Sequence, residues 1–145
     1  MGRSQQVKGK TGEREVVKII ESYGFMARRG QVWNMEPDIV CPVLPIHWEV
    51  KRHETLSINQ WFAQAEDYAS HLMVKKYPVV VYRQSRHPWM VTLKVNDFFM
   101  LTGSIGIDTD CRLTMEFTDF MEILKEKFNE KDINTDISRM VKAVP

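Results

Sequence analysis

Residues 37–51 read Pro37-Asp38-Ile39-Val40-Cys41-Pro42-Val43-Leu44-Pro45-Ile46-His47-Trp48-Glu49-Val50-Lys51. Two short apolar runs meet across the proline-bounded turn Pro42-Val43-Leu44-Pro45, the pattern of a β-hairpin. Side chains alternate along a strand, so His47, Glu49 and Lys51 share one face while Trp48 and Val50 share the other. In an antiparallel pair, Asp38 near the start of the first strand falls beside Glu49 near the end of the second. Two carboxylates and a lysine then converge at one end of a sheet. Carboxylate oxygens suit a hard divalent cation such as Mg²⁺, which keeps several waters of its own. The lysine is suited to orienting or deprotonating a metal-bound water, or to neutralising charge that develops on a phosphate. On the triplet Glu49-Val50-Lys51 alone, a solvated strand face with a surface ion pair is an equal reading.

The chain has 145 residues, enough for one domain with a core of its own. No apolar run approaches membrane-spanning length, and the first six residues carry no apolar signal segment, so a cytoplasmic protein with no membrane partner is expected. The two cysteines, Cys41 and Cys111, are too few and too far apart for a disulfide framework or a Cys-rich zinc site. The four histidines are isolated in the sequence, which also argues against zinc. Net charge is only +1, but its distribution is uneven. Residues 1–100 carry 14 Lys and Arg against 10 Asp and Glu, whereas residues 101–145 carry 6 against 9. The first hundred residues therefore present a basic surface once acidic groups are masked by metal, and such a surface neutralises phosphates.

Upstream of the hairpin, Val16, Ile19, Ile20 and Tyr23 recur at helical spacing, with Lys8-Gly9-Lys10 leading in and Gly24 placed to end the helix. Glu13 falls on the inward stripe of that helix, where a carboxylate is costly unless paired or bound to metal. The bland alternative is that Glu13 merely favours the helix N-terminus. Residues 25–29 read as a strand in which Arg28 and Arg29 point to opposite faces, so at most one reaches the site. In the loop that follows, Trp33 either stacks on a base or sugar or plugs the core. Downstream, Ser57 and Gln60 form a capping-box pattern ahead of a long apolar stripe, Ile58, Trp61, Phe62, Ala65, Ala69 and Leu72. Gln64 and Tyr68 border that stripe and face the site, a partner subunit or the boundary between core and solvent. Strands are expected over residues 78–82 and 89–94, and a short helix capped by Asp97 over 98–101. Residues 103–112 read as a loop, 119–128 as an amphipathic helix with Phe120, Met121, Leu124 and Phe128 inward, and the tail from Lys131 as prone to fray.

Pro37-Asp38 with Glu49-Val50-Lys51 resembles the two halves of the PD-(D/E)xK nuclease motif. Lys8-Gly9-Lys10-Thr11-Gly12-Glu13-Arg14-Glu15 is similar to the opening K-G-x-x-x-E-R-E of the archaeal-type Holliday junction resolvases, which also occur in phages. Gly24-Phe25 followed by Arg29 is similar to the G-F-x-x-x-R of that family, and residues 60–69 resemble its next helix. The likeness spans about residues 4–103. It implies an α/β restriction-endonuclease-like core, a central mixed β-sheet flanked by helices, in a single nuclease domain with a C-terminal helical extension over about 113–145.

The resemblance further implies a Mg²⁺-dependent homodimeric endonuclease, with Mn²⁺ substituting, that nicks opposing strands of a four-way DNA junction. Glu13, Asp38 and Glu49 would be metal ligands, directly or through water, and Lys51 would handle the attacking water. Arg14 and Arg29 would contact phosphates, with Lys8, Lys10, Arg28, Gln31 and Arg52 extending the DNA-binding surface. The family's usual serine between the arginine and the aspartate is missing, and Gln31 is the nearest polar substitute. Trp61, Phe62, Tyr68, Leu72, Trp89 and Met90 exceed what one small core needs, which points either to a dimer interface or simply to core filling. Another DNA substrate, or junction binding without cleavage, are the alternative functions. The host cytoplasm is the expected location if the protein is phage-encoded.

Overall fold

The computed structural model describes residues 2–128. Helix α1 (Gly2–Ser22) is followed by β1 (Arg28–Arg29), β2 (Ile39–Val40), β3 (Ile46–Arg52) and α2 (Ile58–Ser70). Then come β4 (Tyr77–Arg83), β5 (Met90–Lys94), α3 (Val95–Leu101), β6 (Arg112–Glu116) and α4 (Phe117–Lys127). The strands form one six-stranded sheet in the order β1-β2-β3-β4-β5-β6. All neighbours are antiparallel except β3 and β4, which run parallel. That exception follows from the connection: parallel neighbours need a crossover, and α2 supplies it.

The two faces of the sheet bury different sets of residues because the strand period is two. Trp48 and Val50 of β3, Val79 and Val81 of β4 and Val91 and Leu93 of β5 pack in one cluster with Val16 and Ile20 of α1 and with Phe117, Phe120, Met121 and Leu124 of α4. On the opposite face, Val80 and Tyr82 pack with Trp61, Phe62 and Ala65 of α2, with Ile58 and Met90 at the margin. Core filling is thus the outcome for Trp61, Phe62 and Trp89, which are buried within the single chain and cannot be a free interface surface. Of the six residues expected at a dimer contact, Met90 is half-buried and only Tyr68 and Leu72 remain exposed.

Other expectations also change. Helix α1 starts before Lys8-Gly9-Lys10, which lie inside it rather than leading in. Gly24 does end it, with φ of +95° that a side chain would resist. Ser57 is the N-cap of α2 but makes no side-chain capping hydrogen bond, so the capping box does not form. Asp97 sits in the first turn of α3, and Lys94 is the N-cap. Residues 112–116 are not loop or helical extension but the edge strand β6, held to β5 in part by the 2.8 Å hydrogen bond between the Thr92 and Thr114 hydroxyls. An edge strand with one face in solvent buries too little to leave a strong apolar signature. The tail from Lys131 lies outside the described residues. Among the described residues no helix is long and apolar enough to cross a membrane.

Candidate active site

The hairpin register places the central pair. Ile39 pairs with Trp48, and continuing that antiparallel ladder sets Asp38 opposite Glu49 on the α2 face of the sheet. The Val50 N–H donates to Asp38 Oδ2 at 2.8 Å, which fixes the carboxylate against the neighbouring strand. Asp38, Glu49 and Lys51 share a cleft of about 560 Å³ with His47 of β3 and with Gln64 and Tyr68 of α2. For Gln64 and Tyr68 the structure therefore decides what the sequence left open: they face this cleft.

Burial pushes the Asp38 carboxyl up to about 7, and the nearby Glu49 charge adds to the rise, with Glu13 contributing less. The Val50 hydrogen bond and the Lys51 charge oppose it. An aspartate in that state is short of positive charge. Two oxygen donors facing each other across a hairpin, with room for water, suit a hard divalent cation that is held by one or two carboxylates and keeps its remaining waters. Among the described residues, no three His, Cys, Asp or Glu side chains stand close enough to enclose one cation. Glu13 is instead engaged by Arg29, whose Nε donates to Glu13 Oε2 at 2.8 Å.

The structure separates the expected basic residues. Arg29 turns inward to Glu13, whereas Arg28 faces the other way and pairs through two guanidinium nitrogens with the Glu36 carboxylate. Arg52 stands 3.6 Å from Glu15, a carboxylate that also accepts from Arg83 Nη1 and Trp89 Nε1, both at 3.0 Å. Arg52 is therefore tied to α1 rather than projecting freely. Lys10 and Arg14 are exposed on α1, and Lys8 lies 4.0 Å from Glu54. Gln31 braces its own loop, its amide oxygen accepting from Asn34 Nδ2 at 3.2 Å. Trp33 is 78% exposed, so the reading as a core plug falls.

Two features were missed in the sequence. His47 is not isolated: it is buried, its Nε2 lies 3.5 Å from Glu49 Oε1, and its ring stacks on Tyr68 with centroids 5.9 Å apart. That separation is long for a hydrogen bond, and neither ring nitrogen has a hydrogen-bond partner among the described residues. The alternation that put His47 on the face of Glu49 was the available signal. The second is Gly30, whose N–H donates to the Asp38 carbonyl at 2.8 Å. A Cβ there would fall 1.6 Å from the Pro37 carbonyl oxygen, so only glycine lets the loop close on this strand.

The family model described as "Phage putative PDDEXK endonuclease" matches residues 4–135. The chain belongs to that family. It is thus an endonuclease of the PD-(D/E)xK class, whose members bind DNA and generally work with divalent metal ions. The mixed sheet with helices on both faces is the restriction-endonuclease-like core expected from the sequence. The match runs past residue 103, where the motif likeness stops, and takes in β6 and α4, which complete the sheet and the larger core cluster. Among solved structures, the chain is similar to Archaeoglobus fulgidus Hjc, a Holliday junction resolvase from an archaeal hyperthermophile. Identity is 19% over 77% of this chain and 85% of that one, with a TM-score of 0.45, a likeness too low to bear on substrate. No curated protein matches the chain.

Proposed function

We propose that this PD-(D/E)xK endonuclease resolves four-way DNA junctions by paired nicks, acting as a homodimer with Mg²⁺, for which Mn²⁺ substitutes. The observation that carries the cleavage chemistry is the cross-strand pair of Asp38 and Glu49, with Lys51 on the same face of β3. Asp38 and Glu49 would hold the cation, and Glu13, kept in place by Arg29, would act on its water shell. When bound, the cation supplies Lewis-acid stabilisation of charge on the phosphate and lowers the pKa of a bound water. Lys51 orients the attacking water and meets the negative charge that grows on the phosphate. Arg14 and Lys10, exposed on α1, contact phosphates further along the strand, which positions the substrate without reading its sequence.

The junction substrate rests on the ordered motifs around Lys8 to Glu15, Gly24-Phe25 with Arg29, and the hairpin. A four-way junction offers two equivalent strands, and one chain supplies one site, so two copies in a fixed relation meet the geometry. With Trp61, Phe62 and Trp89 inside the monomer, the exposed apolar residues at and beyond the end of α2 include Tyr68, Leu72, Met73 and Val74. The test is cleavage of a panel of four-way junction, fork, linear duplex and single strand at physiological salt, with and without Mg²⁺. Metal-dependent paired nicks confined to the junction are expected. Equal or faster cutting of another member assigns the same chemistry to that substrate, and junction binding without cleavage under any divalent metal refutes the nuclease mechanism for this chain.

A further inference from the structure

The link between β1 and β2 leaves three large apolar side chains in water. Val32 is 91% exposed, Trp33 78% and Met35 84%. Apolar groups gathered in this way on a soluble chain mark a contact with something else. The segment is also braced. Val32–Asn34 forms a 3-10 turn, closed by the Met35 N–H donating to the Val32 carbonyl at 3.0 Å. Glu36, gripped by Arg28, accepts from the Gln31 N–H at 3.2 Å, and Gly30 ties the start of the link to Asp38. Met35 sits in the left-handed region at φ 55°, a conformation a methionine adopts only when its surroundings impose it. The apolar tip is thus held in place before any ligand arrives, which lowers the ordering cost of binding.

Its position narrows the ligand. Val32 and Met35 line the same cleft as Asp38, Glu49 and Lys51. A strand whose phosphate sits at the Asp38–Glu49 pair therefore runs beside this tip. Glu36, the acidic group at its base, is neutralised by Arg28, so little repels a polyanion there. Bases inside an intact duplex have both faces covered by neighbours, whereas a branch point presents open faces or weakly stacked steps, and indole stacking is tolerant of base identity.

We propose that the Val32-Trp33-Met35 tip is a base-stacking wedge, in which Trp33 stacks on bases unstacked at a DNA branch point and Val32 and Met35 flank them. This rests on the nuclease reading of the adjoining cleft, and it supplies that site with a means of preferring branched over linear DNA.

The protein carries its own reporter. Of its four tryptophans, Trp48, Trp61 and Trp89 are buried, so the emission open to a neutral collisional quencher such as acrylamide belongs to Trp33. The full chain in EDTA is titrated with a dye-labelled four-way junction and with a linear duplex of the same arm sequences, and dye anisotropy reports binding separately. The accessible emission should be absent from Trp33→Phe, should drop by more than half on saturation with the junction, and should change little with duplex. Trp33→Ala should weaken junction binding by about fivefold to a hundredfold, should change duplex binding less than twofold, and should leave the melting temperature unaltered. Trp33→Phe should recover most of the loss. Saturated junction binding with Trp33 still fully accessible overturns the wedge while leaving the nuclease reading intact. Equal shielding by duplex, or shielding already present without DNA because a second copy covers the tip, overturns it as well. A flat anisotropy with every DNA overturns the nuclease reading and the wedge together.

Discussion

Replacing Asp38 by asparagine separates the burden that Asp38 places on the metal-free fold from its role in cleavage. In the folded chain its carboxyl titrates near 7, above its ordinary 3.8, chiefly through burial and the Glu49 charge. Between those two values the native state holds a proton that the unfolded state has lost. Stability therefore falls as pH rises through this window, by up to about 1.4 kcal/mol per pH unit, and levels off above about 7. The full displacement corresponds to roughly 4 kcal/mol, as a ceiling, since water in the open cleft screens the charge and reduces it. Asparagine is neutral at every pH, and its carbonyl oxygen can still accept from the Val50 N–H. For a domain of this size each kcal/mol moves the melting temperature by about 2–4 °C. In EDTA, the Asp38→Asn protein should therefore melt above wild type, with an advantage that grows by roughly 5–10 °C between pH 5 and pH 8. Adding Mg²⁺ at pH 8 should raise the wild-type melting temperature and not that of the variant, because only a native state that binds the ion gains from it. Junction cleavage by the variant should be abolished, with binding retained or tighter. Scanning calorimetry or fluorescence melting across pH checks the stability claim. An advantage that does not depend on pH, or a variant less stable than wild type at pH 8, would refute the reasoning about the Asp38–Glu49 pair.

Lys51→Ala should lower the single-turnover cleavage rate at least a hundredfold while changing junction affinity less than fivefold, since its proposed contact forms with charge in the transition state; the reverse split would make it a phosphate contact. Gly30→Ala should abolish cleavage while leaving most of the fold intact, because a Cβ would collide with the Pro37 carbonyl and displace Asp38; near wild-type rates in the same Mg²⁺ assay would count against that closure. Junction affinity should fall steeply with salt despite a net charge of only +1, and Lys10→Glu with Arg14→Glu should flatten the slope, both read from log–log plots of binding against salt. Mixing wild-type with Asp38→Asn subunits on a cruciform plasmid should give nicked circles where wild type alone gives linear product. Linear product from the mixture in unchanged yield would exclude a pair of coupled sites.

The amino-acid sequence determined whatever depends on near neighbours along the chain. Hairpin pairing and two-residue alternation are local, so Asp38 opposite Glu49, with Lys51 on the same face, was legible in Pro37 to Lys51. The apolar stripe of α1 and the inward residues of α4 were legible for the same reason, because periodicity tells which side chains turn together. Tertiary packing decided what each face meets. Trp61 and Phe62 had the look of an interface until α2, laid across β4 by the parallel crossover, covered them with Val80 and Tyr82. Strand β6 exists because β5 offers an edge to pair with, which the half-exposed run Arg112–Glu116 does not advertise. Glu13 and Arg29, sixteen positions apart, meet because α1 packs against the sheet. His47 stands beside Glu49 by strand geometry, but its burial comes from α2, which brings Tyr68 over its ring. The elevated carboxyl of Asp38 has the same origin, since the dielectric around a charge is set by everything packed near it and not by its place in the chain.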